Sequence, residues 1–555
     1  MRFATIASAA GKLSFRRCSL TVAFAVAIAA SLAAVPTVFA SGESEHERDL
    51  GPGCAPERRA IAHRAGGVVV RPHDHERAPI PCVTATGFRT SEIAIVITNN
   101  GTILFQPALA SEMTGLPIGL LSSVDRGASW EFIDPSPPII PRLTGHDMTM
   151  FIDRRTGRVF WNSSNGPPFG SDTPPRVDYS DDEGRTWLSS TTPPVLFDDA
   201  HVFAGPPPER LRHQMRGFPD VVYLCVSGGF TCTYHDFCGT HCTKSLDGAR
   251  TWEPAIGLPF PPECPLSLRQ GGYLSYGAVG RDGTVYLPFT PCQRPYVAIS
   301  HDEGATWRLA LVADTETIGF GELPLGMDRG GNLYAAWVGR ADRLPYLAIS
   351  RDRGLHWSRS MMIASPGVNE AAVPQLVAGA RGQVAVSYYG SQNSPGRPFP
   401  PPCAGVSVNC PGYENEIWST YVSESFNALD RSPLFWSATL NDPAQPTWYG
   451  VTPSEIGVLG QPDVTGGAFA GGVASGEFAS IGGPSLFGRI DYYGMTMAPN
   501  DTPWVGFVQE CPNGLPVAGN PNCPSTLTGT ATDGLFGLVG RLVHVREEAE
   551  HHEDD

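Results

Sequence analysis

Lysine is nearly missing from this chain. Of 555 residues only Lys12 and Lys244 carry an ammonium group, and every other cationic side chain is an arginine. Lys12 falls in a leader-like N-terminus, and Lys244 stands directly before a turn that recurs along the chain. Chemistry that needs a lysine nucleophile or a Schiff base therefore has almost nowhere to sit. Arginine suits recognition of carboxylates. A basic surplus is missing as well: Lys and Arg together number 39 against 55 Asp and Glu, for a net charge of −16. That balance speaks against nucleic acid and anionic membrane as partners. Helical periodicity is hard to find anywhere. No apolar run of membrane length follows Val38. What the chain has in quantity is turn residue, 62 Gly and 52 Pro, which fits an all-β protein with many turns.

The N-terminus reads as an export signal. Arg2, Lys12, Arg16 and Arg17 precede an apolar run from Leu20 to Val38, and Val38-Phe39-Ala40 supplies a small-residue cleavage site. Residues 1–40 are thus expected to be a signal peptide, with the export route, general or twin-arginine, left open. Its removal takes the net charge to −20 and leaves twelve of thirteen cysteines. The expected location is secreted or periplasmic, where an even cysteine number reads as disulfides. Short loops suggest Cys403–Cys410 and Cys511–Cys523, and Cys54–Cys82 would tie the N-terminal segment to the body. For the six cysteines between 225 and 292 the favoured set is Cys225–Cys242, Cys232–Cys238 and Cys264–Cys292. The rival is a zinc site on Cys232, His235, Cys238 and His241, which recur every third residue. Residues 41–66 read as a flexible arm, 67–546 as the folded body, and 547–555 as an acidic disordered tail.

The body is organised by one repeated stretch. Ser123–Trp130, Ser180–Trp187, Ser300–Trp307 and Ser350–Trp357 all read Ser-x-Asp-x-Gly-x-x-Trp, and Ser245–Trp252 is the same with its glycine one place early. The aspartates Asp125, Asp182, Asp247, Asp302 and Asp352 lie 57, 65, 55 and 50 residues apart. A period of that size is one four-stranded unit. The Asp accepts backbone N–H bonds, the Gly supplies positive φ, and Trp130, Trp187, Trp252, Trp307 and Trp357 each return an indole between sheets. Carboxylate triplets such as Asp181-Asp182-Glu183 also suit calcium, but turn aspartates need no metal. Seven starts of an inner strand are read, near Glu92, Asp147, Phe218, Leu274, Leu323, Val373 and Tyr493. The sixth unit keeps only a degenerate turn between Ser423 and Trp436, and the seventh is interrupted before Phe536. The fold class is therefore all-β, a single β-propeller of four-stranded blades, with seven blades favoured over six. Closure would use Val68-Val69-Val70 as the missing outer strand of the last blade.

The repeated stretch resembles the Asp box of sialidases and related propellers. That resemblance implies a ligand site at the starts of the inner strands, on the face opposite the boxes. Arg89, His146, Asp147, Tyr273, Glu322, Glu370, Asp491 and Tyr492 occupy such positions. Sialidases open with Phe/Tyr-Arg-Ile-Pro, whose Arg grips a carboxylate; Phe88-Arg89-Thr90-Ser91 is similar in placement. By the same resemblance Glu370 and Tyr492 correspond to the Glu and Tyr nucleophile of the sialidase pair. Arg89, Asp147, Tyr273, Glu322 and Asp491 become candidate ligand contacts. The departures are specific. Tyr388-Tyr389-Gly390-Ser391 stands where a second arginine is expected, no third arginine matches, and no Asp occurs from residue 90 to 124. Segments 152–160 and 491–495 also resemble exported bacterial Asp-box proteins without assigned activity. Two function classes follow: a propeller that binds a glycan or protein on its channel face, and an exo-α-sialidase-type hydrolase acting on acidic sugars. The missing arginines favour the first. The reading implies no cofactor and no resident metal, and a monomer is expected.

Overall fold

The computed structural model describes residues 50–72, 77–90, 93–107, 119–133, 149–163, 176–193, 198–227, 240–259, 261, 274–318, 323–395, 416–449, 494–510 and 535–544. Their strands form seven antiparallel sheets. Each sheet is one blade of a seven-bladed propeller. The innermost strands, blade one to blade seven, are Ile93–Ile97, Met150–Ile152, Asp198–Gly205, Ala278–Val279, Leu325–Met327, Glu370–Ala378 and Met495–Met497. Each lies beside the next, and Met495–Met497 lies beside Ile93–Ile97, so the ring closes.

The blades form where the chain offers apolar runs that bury on both faces. Leu333–Val338 and Ile93–Ile97 are buried at every position, as expected for strands sandwiched between neighbouring sheets. Core clusters sit between blades rather than at the axis. The largest joins blades six, seven and one around Trp418, Trp436, Trp504 and Phe105. At the closing junction a Cβ on residue 494 would stand 2.7 Å from Ile95 Cγ2 and 2.8 Å from its backbone nitrogen. Only glycine lets blade seven approach blade one so closely.

Three sequence expectations are corrected. The closing strand does come from the N-terminal side, but it is Ile80–Arg89, paired along Leu535–Val543. Val68–Val69 instead pairs with Ile61–Arg64, which extends blade six beyond Phe435–Thr439. Residues 61–64, inside the segment read as an arm, are therefore part of a sheet. The longer Ile80–Arg89 run can match the length of its partner strand, which two valines cannot. The third inner strand is Asp198–Gly205, not a strand near Phe218; Val221–Ser227 is the second strand of that blade. A proline-rich connection with a 3-10 segment, Glu209–Gln214, separates the two.

The inner strands start on one face of the ring, here the upper face, and the repeated turns lie on the lower face. Each turn closes with the same bonds. In the last, Ser350 Oγ donates to Asp352 Oδ1 (2.9 Å), Gly354 N donates to Ser350 Oγ (2.8 Å), and His356 N donates to Asp352 Oδ1 (2.9 Å). Ser129, Thr186, Thr251 and Thr306 hold Asp125, Asp182, Asp247 and Asp302 in the same way. Trp187 is buried and Trp130, Trp252, Trp307 and Trp357 are half-buried, each packed into a cluster shared with the preceding blade. The triplet Asp181-Asp182-Glu183 does not converge. Asp181 meets Arg158, Asp182 caps its own turn, and Glu183 accepts from Thr102 Oγ1 (2.6 Å). In the degenerate sixth turn the serine is Ser425, and Asn427 holds the aspartate position, accepting from Leu434 N at 2.8 Å.

Two of the expected disulfides are formed, Cys54–Cys82 and Cys225–Cys242. Cys292 is also disulfide-bonded, while its expected partner Cys264 lies outside the described residues, as do the pairs Cys232–Cys238, Cys403–Cys410 and Cys511–Cys523. Among the described residues no helix is long and apolar enough to cross a membrane.

Candidate functional site

The upper mouth of the channel is built from the residues that open the inner strands. Of the candidates, Glu370 is fully described, and Arg89 through its backbone. Asp147, Tyr273, Glu322, Asp491 and Tyr492, with His146, lie outside the described residues. Their described neighbours Thr149, Leu274, Leu323 and Gly494 precede inner strands on this face.

Arg89 ends the outermost strand of blade seven, opposite Phe536, and the chain enters blade one at Ile93. That puts its backbone on the upper face. Glu370 opens the inner strand of blade six and is 1% exposed. Ser394 Oγ donates to its Oε2. The adjacent Asn369 clamps the same loop: its Nδ2 donates to Ser394 O (3.0 Å) and its Oδ1 accepts from Ser394 N (3.2 Å). Glu370 is thus tied into a closed turn around residues 391–394. The strand after it ends in Tyr388-Tyr389-Gly390-Ser391, all buried. Burial pushes the Tyr388 and Tyr389 hydroxyls far above their usual range, so both stay protonated.

Two arginines stand at the rim of blades four and five. Arg340 donates to Gln293 Oε1 and faces Glu316 at 3.5 Å, and the neighbouring Arg294 pairs with Asp314. Both guanidiniums already have carboxylate partners.

Sequence reading missed the groups that line the wall between blades two and four. Tyr276 Oη accepts from Met150 N (3.2 Å), so a side chain leading into blade four reaches the inner strand of blade two. His201 on the inner strand of blade three meets the Tyr276 ring edge-on at 4.8 Å. Burial lowers the His201 imidazole to about 3, against the pull of a bond to the Leu274 backbone, so it is neutral at physiological pH. Below it, Asn162 Nδ2 and Thr149 Oγ1 both donate to Ala200 O at 2.8 Å. No spacing rule links residues 149, 162, 201 and 276. The signal in the sequence is confined to the polar stretch Tyr273-Leu274-Ser275-Tyr276, of which Tyr273 alone was singled out. Among the described residues no group of three or more His, Cys, Asp or Glu side chains is placed to hold a metal ion.

No protein-family model and no curated protein matches the chain. Among solved structures it is similar to a protein of unknown function from Dyadobacter fermentans DSM 18053, at 12% identity over 89% of this chain and 100% of that one, with TM-score 0.38. It is also similar to the NanB sialidase from Streptococcus pneumoniae (12% identity, 84% of this chain, 70% of that one, TM-score 0.37). A third likeness is to AofleA from Arthrobotrys oligospora (11% identity, 63% and 88%, TM-score 0.37).

Proposed function

We propose that the protein is an exported propeller that binds a glycan at the upper mouth of its channel and does not cleave it, and that its repeated turns are Asp boxes. The observation that carries this reading is the setting of Glu370. A general base or its partner must come within hydrogen-bond reach of the proton it moves. Glu370 is buried, and its Oε2 accepts from Ser394 within the Asn369 clamp, a setting that suits a carboxylate holding a loop. The strand that follows carries buried Tyr388 and Tyr389, and the sequence has no arginine there to grip a carboxylate. The rim arginines Arg294 and Arg340 answer Asp314 and Glu316, so an anionic sugar would compete with resident carboxylates for them. Arg89, Asp147, Tyr273, Glu322 and Asp491 are assigned to ligand contact, joined by the half-buried Tyr276, which His201 backs from behind. The leader-like N-terminus and the disulfides fit folding in an oxidising compartment.

The second reading, sialidase-type hydrolysis by Glu370 and Tyr492, draws on Arg89 standing just ahead of the first inner strand and Glu370 opening the sixth. A glycan array probed with the purified protein separates binding from its absence. The expected result is retention on a subset of glycans, weakened by Tyr276→Ala in a protein whose circular dichroism shows the fold retained. Failure to retain any glycan would overturn the reading.

A further inference from the structure

The opposite mouth of the channel carries a second, differently built site. On the lower face the hairpins that follow the inner strands of blades two, four, five, six and seven surround a cavity of about 770 Å³. Five guanidiniums line it: Arg154, Arg281, Arg329, Arg351 and Arg353. Three carboxylates line it too, Asp282, Asp328 and Asp501. Two of the arginines are neutralised. Arg329 makes a two-point pair with Asp501, both bonds at 2.6 Å, and Arg353 meets Asp282 at 2.8 Å. Asp328 is occupied by Gly330 N, Asn332, Tyr334 Oη and Gly382 N.

The other three arginines have no carboxylate partner among the described residues. Arg154 donates to Ile97 O at 2.6 Å and to Met497 O, reaching from blade two to blades one and seven. Arg281 donates to Arg329 O at 2.7 Å, and Arg351 donates to Leu429 O. Carbonyls orient a guanidinium but leave its charge uncompensated. Burial by surrounding protein atoms lowers Arg154 to about 10, yet the residue keeps exposed surface and lines the cavity. A chain of net charge −16 thus gathers a local positive surplus at one concave mouth. Such a focus of one sign raises the local concentration of the opposite ion.

We infer that this lower mouth binds a small polyanion, a molecule with two or more phosphate or sulfate groups. Guanidinium forks match the oxygens of such groups with parallel N–H bonds. The cavity falls in the range of roughly 300–1,000 Å³ usual for small-molecule sites, too roomy for one inorganic ion. Arg154, Arg281 and Arg351 come from three different blades, so one anionic group cannot satisfy all of them; a ligand with several can. The site is independent of the upper mouth and of any reading of it.

Calorimetric titration of the purified protein tests this, with pyrophosphate, a sulfated disaccharide and inorganic phosphate as probes. Pyrophosphate or the disaccharide is expected to bind more tightly than phosphate, and which of the two wins distinguishes the phosphate from the sulfate source. Binding is expected to weaken as salt is raised. Arg281→Gln and Arg351→Gln should each weaken binding by roughly ten-fold or more, whereas Arg281→Lys should keep part of it. Arg308→Gln, on the outer strand of blade four, should change nothing. Absence of binding by both multivalent probes, or binding that survives the Arg281→Gln, Arg351→Gln double variant with its fold intact, would overturn the inference.

Discussion

Gly248 shows how a departure from the repeat is dictated by a neighbour. In four of the turns the residue after the aspartate is a long side chain at positive φ, Arg126, Glu183, Glu303 or Arg353, and glycine follows it. In the third turn glycine comes first, at φ 74°, and Ala249 takes the next place at φ 70°. The cause is Arg158. Its guanidinium is held by Asp181 and by Gly248 O (2.8 Å) and lies over the Tyr179 and Phe218 rings at 4.4 and 4.6 Å. A Cβ on residue 248 would stand 2.4 Å from Arg158 Nη1 and 2.7 Å from Phe218 Cγ. Gly248→Ala should therefore cost about 2–4 kcal/mol, combining left-handed strain with overpacking; urea unfolding measures it. The sequence displayed the shifted glycine but not its reason, because Arg158 and Phe218 meet it only through tertiary contact. The turn aspartates set how stability responds to acid. Hydrogen bonds from Ser129 hold Asp125 at about 2, and bonds from His356 hold Asp352 at about 2, below the usual aspartate range. A carboxyl depressed in the folded state stabilises fully above its unfolded pKa, and that contribution is lost as pH falls through the folded one. Stability should be steady down to about pH 4 and decline toward pH 2. Asp125→Asn with Asp352→Asn should blunt that decline in an acid titration of the unfolding midpoint.

At the scale of the element, strands were legible where they are apolar throughout, as in Leu333–Val338, and turns where they repeat. The two-residue outer strands Ile256–Gly257 and Met361–Met362 are too short to show any period. The third inner strand escaped because Asp198 and Asp199 open it and Pro206-Pro207-Pro208 follow it, which reads as loop. The degenerate sixth turn was placed in the right interval, but its hydrogen-bonding residue is Asn427, an amide doing the work of the missing carboxylate. The indoles that follow the turns differ in burial, and their substitution should follow suit. Trp187 is 6% exposed and edges against Trp161 at 5.6 Å. Trp187→Ala should cost about 3–5 kcal/mol. The half-buried Trp252, whose Nε1 donates to Ser190 Oγ at 2.9 Å, should cost less. Paired thermal and denaturant unfolding of the two variants checks the order.

For the molecule as a whole, seven blades were legible from spacing, whereas closure was not, since pairing between residues 80–89 and 535–543 leaves no local trace. The Cys54–Cys82 bridge anchors the closing strand, with a sequence separation of 28. Removing it with serines should cost on the order of 3–4 kcal/mol and sensitise the N-terminal segment to protease. The candidate site was legible to the extent that its face follows from the fold. Glu370 stands on that face, but its engagement with Ser394, and the reach of Tyr276 across to blade two, depend on loops whose course no pattern encodes. If the upper mouth binds without cutting, as proposed, a fluorogenic α-sialoside should survive incubation with the purified protein. Release of fluorophore should match a protein-free blank for the wild type and for Glu370→Gln alike; steady release by the wild type that Glu370→Gln abolishes would contradict it.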